Sequence, residues 1–249
     1  MSSTLILTLG GRGGTGKTLS LVAIADYLRK KGNKLVAVDC DTENAGKLSS
    51  FSHWFNGRAH PLNLRNLGDC DKLLKSSATS GVPFVLADLP ANSSADISDW
   101  WKDVATPDVL NELGLTIIGV GTVTASHGAA ESVVEWMSSL GQSISYLVIL
   151  NRISFERVPR PKEEAFRDWF LVNTHGLYLQ SLEIGHLHSP TMDALVRLAK
   201  LPSKAIEGTE LFVLDRQRVK SWRDRIHAQL DDLGIFRAQE KTEPTPALK

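Results

Sequence analysis

The sequence predicts an α/β protein with a doubly wound, mainly parallel sheet that helices flank on both faces. Three observations lead to this fold class. Apolar runs without polar alternation indicate strands covered on both faces. Stretches with apolar residues at helical spacing separate these runs. A glycine-rich segment follows the first apolar run and opens the first helical stretch.

The elements follow one another as strand, helix and strand. Residues 4–9 form an apolar run that stops at Gly10, and the helical pattern of 17–31 ends in basic residues before Gly32. The sequence predicts strands over 4–9, 34–39, 84–88, 116–120, 146–150 and 177–182. It predicts helices over 17–31, 69–80, 96–113, 127–140, 162–172, 191–201 and 212–233.

Composition limits the domain organisation and the function classes. The 249 residues fit one domain over 1–236, followed by a polar, proline-containing tail over 237–249 that we expect to be disordered. The 28 basic residues equal the 28 acidic ones, which argues against an extended nucleic-acid-binding surface. The two cysteines form no C-x-x-C pair, so the chain alone predicts no zinc or iron–sulfur site.

The N-terminal residues show no targeting signal. No basic segment precedes the short apolar run, and no stretch of about 18 apolar residues occurs in the chain. We therefore expect a cytoplasmic protein.

The segment 11–18 reads GRGGTGKT and fits the pattern G-x-x-x-x-G-K-[ST]. Its glycines let backbone N–H groups turn towards a phosphate, and the helix N-terminus adds its positive end. Lys17 reaches the outer phosphates, and the Thr18 hydroxyl suits Mg²⁺. The predicted nucleotide-binding residues in this segment are Gly11, Arg12, Gly13, Gly14, Thr15, Gly16, Lys17, Thr18 and Leu19.

Carboxylates end two of the predicted strands. Asp88 closes the strand 84–88 and suits a Mg²⁺-bound water, while Asp39 and Asp41 follow the strand 34–39. These residues come to the edge of the sheet where the phosphate loop lies. One carboxylate of the Asp39 and Asp41 pair can orient a water molecule. Thr18, Asp41 and Asp88 are the predicted Mg²⁺ site.

Residues 4–202 resemble the ParA/MinD-type ATPases of the SIMIBI class, which carry a deviant Walker A motif. The resemblance rests on GRGGTGKT, VDCDTEN, VLADLPA, LVILNR and LPSKA. It implies that Arg12 stands where the family has a lysine that reaches the partner's nucleotide across a dimer. It implies that Asp41 positions the attacking water, although Thr42 replaces the usual proline after it. By the same resemblance Asn151 hydrogen-bonds adenine, with Arg152 beside the base.

The resemblance implies an ATPase that binds ATP and Mg²⁺, forms a nucleotide-sandwich homodimer and turns over slowly under a protein partner's control. Lys17, Asp41 and Arg12 are then the catalytic residues. Two roles remain open within the family: partition or positioning of plasmids and other cargo, and an accessory role in conjugation or secretion. Two alternatives to this ATPase function also remain open. One is a biosynthetic enzyme related to dethiobiotin synthetase or the cobyrinate amidases, and the other is a non-hydrolysing scaffold.

A basic run near the C-terminus is a candidate DNA-binding surface. It would attract the phosphate backbone without reading its sequence. A helix face exposed to solvent would explain the same pattern without DNA binding. If the basic residues do form a DNA-binding surface, the partition role is favoured. No basic amphipathic helix ends the chain, so we expect no membrane anchor. The candidate DNA-binding residues are Arg216, Arg218, Lys220, Arg223 and Arg225.

Overall fold

The computed structural model describes residues 2–41, 46–48, 50–91, 94–156, 158–175, 177 and 179–236. Its described strands form one seven-stranded sheet in the order β3-β2-β4-β1-β5-β6-β7, and every neighbouring pair is parallel. The strands are β1 (Ser3–Leu9), β2 (Leu35–Asp39), β3 (His60–Pro61), β4 (Phe84–Asp88), β5 (Leu115–Val123), β6 (Ser145–Asn151) and β7 (Leu179–Ile184).

Helices connect these strands and cover both faces of the sheet. They are α1 (Lys17–Lys30), α2 (Leu67–Thr79), α3 (Ser94–Val104), α4 (Pro107–Glu112), α5 (His127–Leu140), α6 (Arg160–Asn173), α7 (Ser189–Arg197), α8 (Pro202–Glu207) and α9 (Val213–Leu233). The predicted fold class is therefore confirmed.

Successive side chains of β1 enter two different apolar cores. Leu5 and Leu7 pack into a core with α2, α3, α5 and α6, whereas Ile6 packs into a core with α1, α7, α8 and α9. Burial on both faces is the physical reason why the strand reads as a continuous apolar run. The two cores hold the sheet between two layers of helices.

The strand order places β1 at the topological switch point. β2, β3 and β4 lie on one side of β1, and β5, β6 and β7 lie on the other. Connections leave β1 and its neighbours towards opposite sides, which opens a crevice at the carboxyl ends of these strands. The glycine-rich segment after Leu9 lies at this crevice.

One predicted helix is divided in the structure, and another ends earlier than predicted. The stretch 96–113 breaks between α3 and α4, because Pro107 begins a new helix that Thr106 caps through a hydrogen bond from the Val109 N–H. The stretch 191–201 ends with α7, and Ala199 then adopts a left-handed φ of 53° before α8 begins.

Other boundaries agree within a few residues. The last strand lies two residues later than predicted, and the two-residue β3 was too short to give a pattern. The domain boundary at 236 stays a prediction, and the tail 237–249 lies outside the described residues.

A buried polar cluster ties α1 to α8 and α9. Asp26 of α1 is 1% exposed and accepts hydrogen bonds from the Ser203 N–H (2.7 Å) and hydroxyl (2.8 Å). Arg223 donates to the Ser203 hydroxyl, and His227 lies 3.2 Å from the Asp26 carboxylate. Because a buried carboxylate needs such partners, this cluster fixes the C-terminal helices against the helix that opens at the glycine-rich segment.

Close packing of β5 against α5 gives a stability prediction. A Cβ at Gly121 would lie 2.5 Å from Val133 Cγ1. We expect Gly121→Ala to lower the free energy of unfolding by about 1–3 kcal/mol through overpacking, as measured by urea denaturation. At Gly185 a Cβ meets no heavy atom within 4 Å, so Gly185→Ala is the matched control. Equal losses in the two variants would contradict this packing.

Candidate nucleotide-binding site

The glycine-rich segment forms a loop between β1 and α1. Gly14 and Gly16 have φ values of 73° and 99°, a region that other residues rarely adopt, and α1 begins directly after Gly16. The sequence therefore needs glycine at these positions to bring the chain from the sheet into the helix. The loop and the first turn of α1 line a cavity of about 660 Å³, through Gly13, Gly14, Thr15, Gly16, Lys17, Thr18 and Leu19.

Lys17 lies at the base of this loop. Its Nζ donates a hydrogen bond of 2.8 Å to the Arg12 carbonyl, and the residue is 8% exposed. Burial lowers the pKa of Lys17, while the charges of Asp88 and Asp41 oppose this shift. The ammonium group is thus held in the cavity close to two carboxylates.

Asp88 joins three elements at the carboxyl edge of the sheet. Its carboxylate accepts hydrogen bonds from the Thr8 hydroxyl of β1 (3.0 Å) and the Thr18 hydroxyl of α1 (2.6 Å). The Asp88 side chain is 2% exposed, and burial raises its pKa to about 6, against the opposing effect of these hydrogen bonds. The predicted pair of Thr18 and Asp88 is therefore in direct contact.

Asp39 and Asp41 have different environments. Asp39 is buried, and its carboxylate accepts hydrogen bonds from the Ser52 N–H (2.8 Å) and the Asp41 N–H (3.2 Å). It thereby holds both ends of the segment that joins β2 to Ser52. Asp41 is half-buried and lines the cavity with Thr18 and Asp88. Thr42, the position of the missing proline, lies outside the described residues.

The oxygens of this edge fit a magnesium ion. Thr18, Asp41 and Asp88 all line the same cavity and offer hydroxyl and carboxylate oxygens, which are the ligands that Mg²⁺ prefers. The contact between Thr18 and Asp88 shows that a hydroxyl and a carboxylate from two elements meet at one point.

The opposite wall of the cavity is apolar and was not predicted from the sequence. It comes from segments far from the glycine-rich loop, including the 3₁₀ turn Ser52–Phe55 and helix α7. Leu89 and Ala91 lie in the segment VLADLPA, whereas no local motif marks Trp54, Met192 or Val196. The apolar residues of this wall are Leu48, Trp54, Leu89, Ala91, Met192 and Val196.

Asn151 lies against the loop at the end of β6. Its Nδ2 donates to the Thr15 carbonyl at 2.9 Å, and its Oδ1 is buried with no hydrogen-bond partner among the described residues. A Cβ at Gly16 would lie 3.1 Å from this Nδ2, so the glycine permits the contact. A buried amide oxygen without a partner is a free acceptor for a ligand N–H.

Arg152 lies outside the cavity in this structure. Its guanidinium donates to Glu163 at 2.5 Å, lies 3.6 Å from Glu183 and sits 5.8 Å from the centre of the Phe155 ring. Arg167 bridges the same two glutamates and completes a cluster of four charges. Arg152, which was predicted to lie beside the base, is therefore held by Glu163 of α6 and Glu183 of β7.

Arg12 also lies apart from the cavity residues. Its side chain is exposed and packs over Gly128 near the start of α5, where a Cβ would collide with the guanidinium. No ion pair forms between Arg12 and an acid in the described part of the chain.

The basic run on α9 is partly neutralised, because two carboxylates, Asp215 and Asp224, pair with three of its cations. Lys220 pairs with Asp224 at 2.7 Å, and Arg218 pairs with Asp215 at 3.0 Å. Arg223 pairs with Asp224 and is 6% exposed, so it does not belong to an exposed basic face. Arg216 and Arg225 are the remaining members, and Arg216 donates to the Gly208 carbonyl at 3.0 Å.

No helix within the described ranges combines the length and the apolar character needed to cross a bilayer.

The raised pKa of Asp88 predicts a pH-dependent stability in the absence of nucleotide and divalent cations. Between pH 4 and pH 6 the folded state binds a proton that the unfolded state has lost, so stability falls as the pH rises. From pH 4 to pH 7 we expect wild type to lose about 2 kcal/mol relative to Asp88→Asn. Urea denaturation in EDTA measures this difference, and parallel pH profiles of the two proteins would contradict the shift.

Known proteins resemble this chain in sequence and in fold. Residues 6–168 match the CobQ/CobB/MinD/ParA nucleotide binding domain. Protein TraL of Escherichia coli is 21% identical over 256 residues, which cover 92% of this chain and 98% of TraL.

Solved structures agree in fold. The MinC:MinD cell division protein complex of Aquifex aeolicus has a TM-score of 0.56 at 15% identity, over 99% of each chain. Cell division protein FtsY of Thermotoga maritima has a TM-score of 0.50 at 14% identity, over 72% of this chain and 60% of FtsY. The resemblance to ParA/MinD-type P-loop ATPases is confirmed. Because the matched domain spans more than half of the chain, the protein belongs to the CobQ/CobB/MinD/ParA nucleotide-binding domain family.

Proposed function

We propose that this protein is an ATPase of the ParA/MinD type that binds ATP with Mg²⁺ and acts as a dimerising molecular switch. The proposal rests on the residues that line the nucleotide cavity. The glycine-rich loop, Lys17, Thr18, Asp41 and Asp88 line one cavity at the switch point of the sheet. A cavity of about 660 Å³ is large enough for a nucleotide.

The loop and Lys17 would hold the phosphates of ATP. Backbone N–H groups and the N-terminus of α1 favour negative charge at this position. Lys17 would exchange its hydrogen bond to the Arg12 carbonyl for one to a phosphate oxygen. Because the ammonium group is already held in the cavity, this exchange requires little reordering of the side chain.

Thr18 and Asp88 would form the Mg²⁺ side of the site, with Asp41 nearby. When bound, the ion would neutralise the charge that develops on the phosphates during hydrolysis. Asp41 would orient the attacking water, since it lines the cavity and its backbone is fixed by Asp39. Catalysis at such a site is positioning and charge stabilisation, so slow turnover is expected.

The base would lie against Asn151. The free Oδ1 of Asn151 accepts a hydrogen bond, as the exocyclic amine of adenine requires, while Nδ2 stays bound to the loop. Arg152 takes no part in this arrangement, because Glu163 and Glu183 hold its guanidinium.

Arg12 would act across a homodimer. Its side chain is exposed, outside the lining of its own cavity and without an acidic partner among the described residues. An arginine fork suits two phosphate oxygens of a nucleotide bound by a second copy. Dimerisation would then depend on ATP, and the bound state would be the active state of the switch.

Of the two roles within the family, the α9 charges favour the accessory role in conjugation or secretion over plasmid partition. Partition would use nonspecific DNA binding, which requires free cations. Three cations of the run pair with Asp215 or Asp224 instead. Retention of plasmid DNA by the ATP-bound protein in size-exclusion chromatography would restore the partition role.

Asp41→Ala tests the hydrolytic site. We expect ATP binding to stay within a few-fold of wild type and ATP hydrolysis to fall by about 100-fold or more, because the water loses its orienting group. Calorimetry measures the binding, and phosphate release measures the turnover. Asp168→Ala removes an exposed carboxylate of α6 and serves as the control. Wild-type turnover in Asp41→Ala would remove Asp41 from the mechanism.

Arg12→Ala tests the dimer. We expect the variant to bind ATP as a monomer and to lose the ATP-dependent dimer seen by light scattering, since the contact to the partner's phosphates is missing. Arg12→Lys introduces the residue usual in the family and should retain the dimer. An Arg12→Ala dimer equal to that of wild type would overturn the role of Arg12.

A further inference from the structure

A second cavity, of about 280 Å³, lies beside the first and is basic. Its floor is apolar and includes Ala37 of β2 together with Trp54 and Phe55. Four cationic side chains surround this floor, and no lining residue is acidic. We call it the basic cavity, and its cations are Arg29, Arg58, Lys200 and Lys204.

The charges of this cavity are only partly neutralised. Lys200 pairs with Glu210 and Lys204 with Glu207, and both glutamates lie outside the lining. Neither Arg29 nor Arg58 forms an ion pair with any acid that the structure describes. The Arg29 guanidinium lies 5.1 Å from the centre of the Phe55 ring, which restricts its orientation. Two guanidinium groups thus face one cavity without a counter-charge from its lining.

Two residues that line the same cavity have a left-handed backbone. Within the described ranges, the residues other than glycine with a positive φ are Asn56, His175 and Ala199. Two of these, Asn56 at 52° and Ala199 at 53°, line the basic cavity. A left-handed alanine costs about 1 kcal/mol or more and persists only where its surroundings enforce it. Both residues follow a helical segment, Asn56 the 3₁₀ turn Ser52–Phe55 and Ala199 the end of α7, where a left-handed residue commonly ends a helix.

We propose that the basic cavity is a second anion site that binds a phosphate group. Arginine forks donate two parallel hydrogen bonds to phosphate oxygens, and two guanidinium groups that have no acid beside them in the cavity lining suit such an anion. The volume is below that of a typical site for a whole nucleotide, so the cavity suits a phosphate or pyrophosphate group.

The two cavities share a wall. Trp54 lines both of them, and the segment at Ala199 follows α7, whose Met192 and Val196 line the nucleotide cavity. A phosphate bound between Arg29 and Arg58 therefore contacts the same structure that encloses the nucleotide. Binding at the two sites would be coupled, with each ligand changing the affinity for the other by the same factor.

Calorimetric titration with sodium pyrophosphate tests the site. Lys17→Ala weakens phosphate binding at the glycine-rich loop, so a loss of affinity on changing Arg58 in this background reports on the basic cavity. We expect Lys17→Ala to bind pyrophosphate, and Lys17→Ala with Arg58→Gln to bind at least about 10-fold more weakly, as the loss of a charged hydrogen-bond pair requires. Lys17→Ala with Arg160→Gln is the matched control, because Arg160 is exposed on α6 in the other helical layer.

A second comparison does not depend on the Lys17 variant. Wild type should show two pyrophosphate sites and Arg58→Gln only one, and this result separates the basic cavity from the nucleotide cavity. If a short DNA duplex displaces pyrophosphate from the basic cavity, the natural ligand is the phosphate backbone of a nucleic acid. If the duplex does not displace pyrophosphate, the natural ligand is a free anion. No binding to Lys17→Ala, or equal affinity with and without Arg58, would overturn the proposal. Binding of polyglutamate in place of pyrophosphate would also overturn it.

Discussion

The buried carboxylate of Asp88 is the constraint on which the site depends. It is shared by hydroxyls from β1 and α1, and Thr8 also accepts a hydrogen bond from the Leu89 N–H at 2.7 Å. These contacts fix the carboxyl ends of β1 and β4 and the first turn of α1 relative to one another. Removing them would leave a buried charge without partners, so the glycine-rich loop and its acid are positioned together.

The sequence predicted the strands and the glycine-rich loop because both have local signals. A strand buried on two faces must be apolar throughout, and a loop that turns at Gly14 and Gly16 must use glycine. The break at Pro107 and the early end of α7 were not predicted because hydrophobic spacing continues across Pro107 and Ala199. The apolar wall with Trp54 and Met192 was missed because tertiary packing alone brings those elements together.

For charged residues, the sequence alone predicts even less about their surroundings. A sequence reveals a cation but not its partner, so Arg152 and Arg223 looked available until the structure placed acids beside them. Arg29 and Arg58 gave no pattern, yet the fold brings them together around one cavity without an acid. Burial and pairing decide which cations can bind an anionic ligand, and both are properties of the fold.

The central claim is that the cavity at the glycine-rich loop binds ATP with Mg²⁺. Isothermal titration of wild type with ATP and with GTP, each with Mg²⁺ and with EDTA, tests it most directly. We expect one ATP to bind per chain, GTP to bind more weakly, and the affinity for ATP to fall in EDTA. Failure to bind any nucleotide, or ATP affinity that does not change when Mg²⁺ is removed, would contradict it.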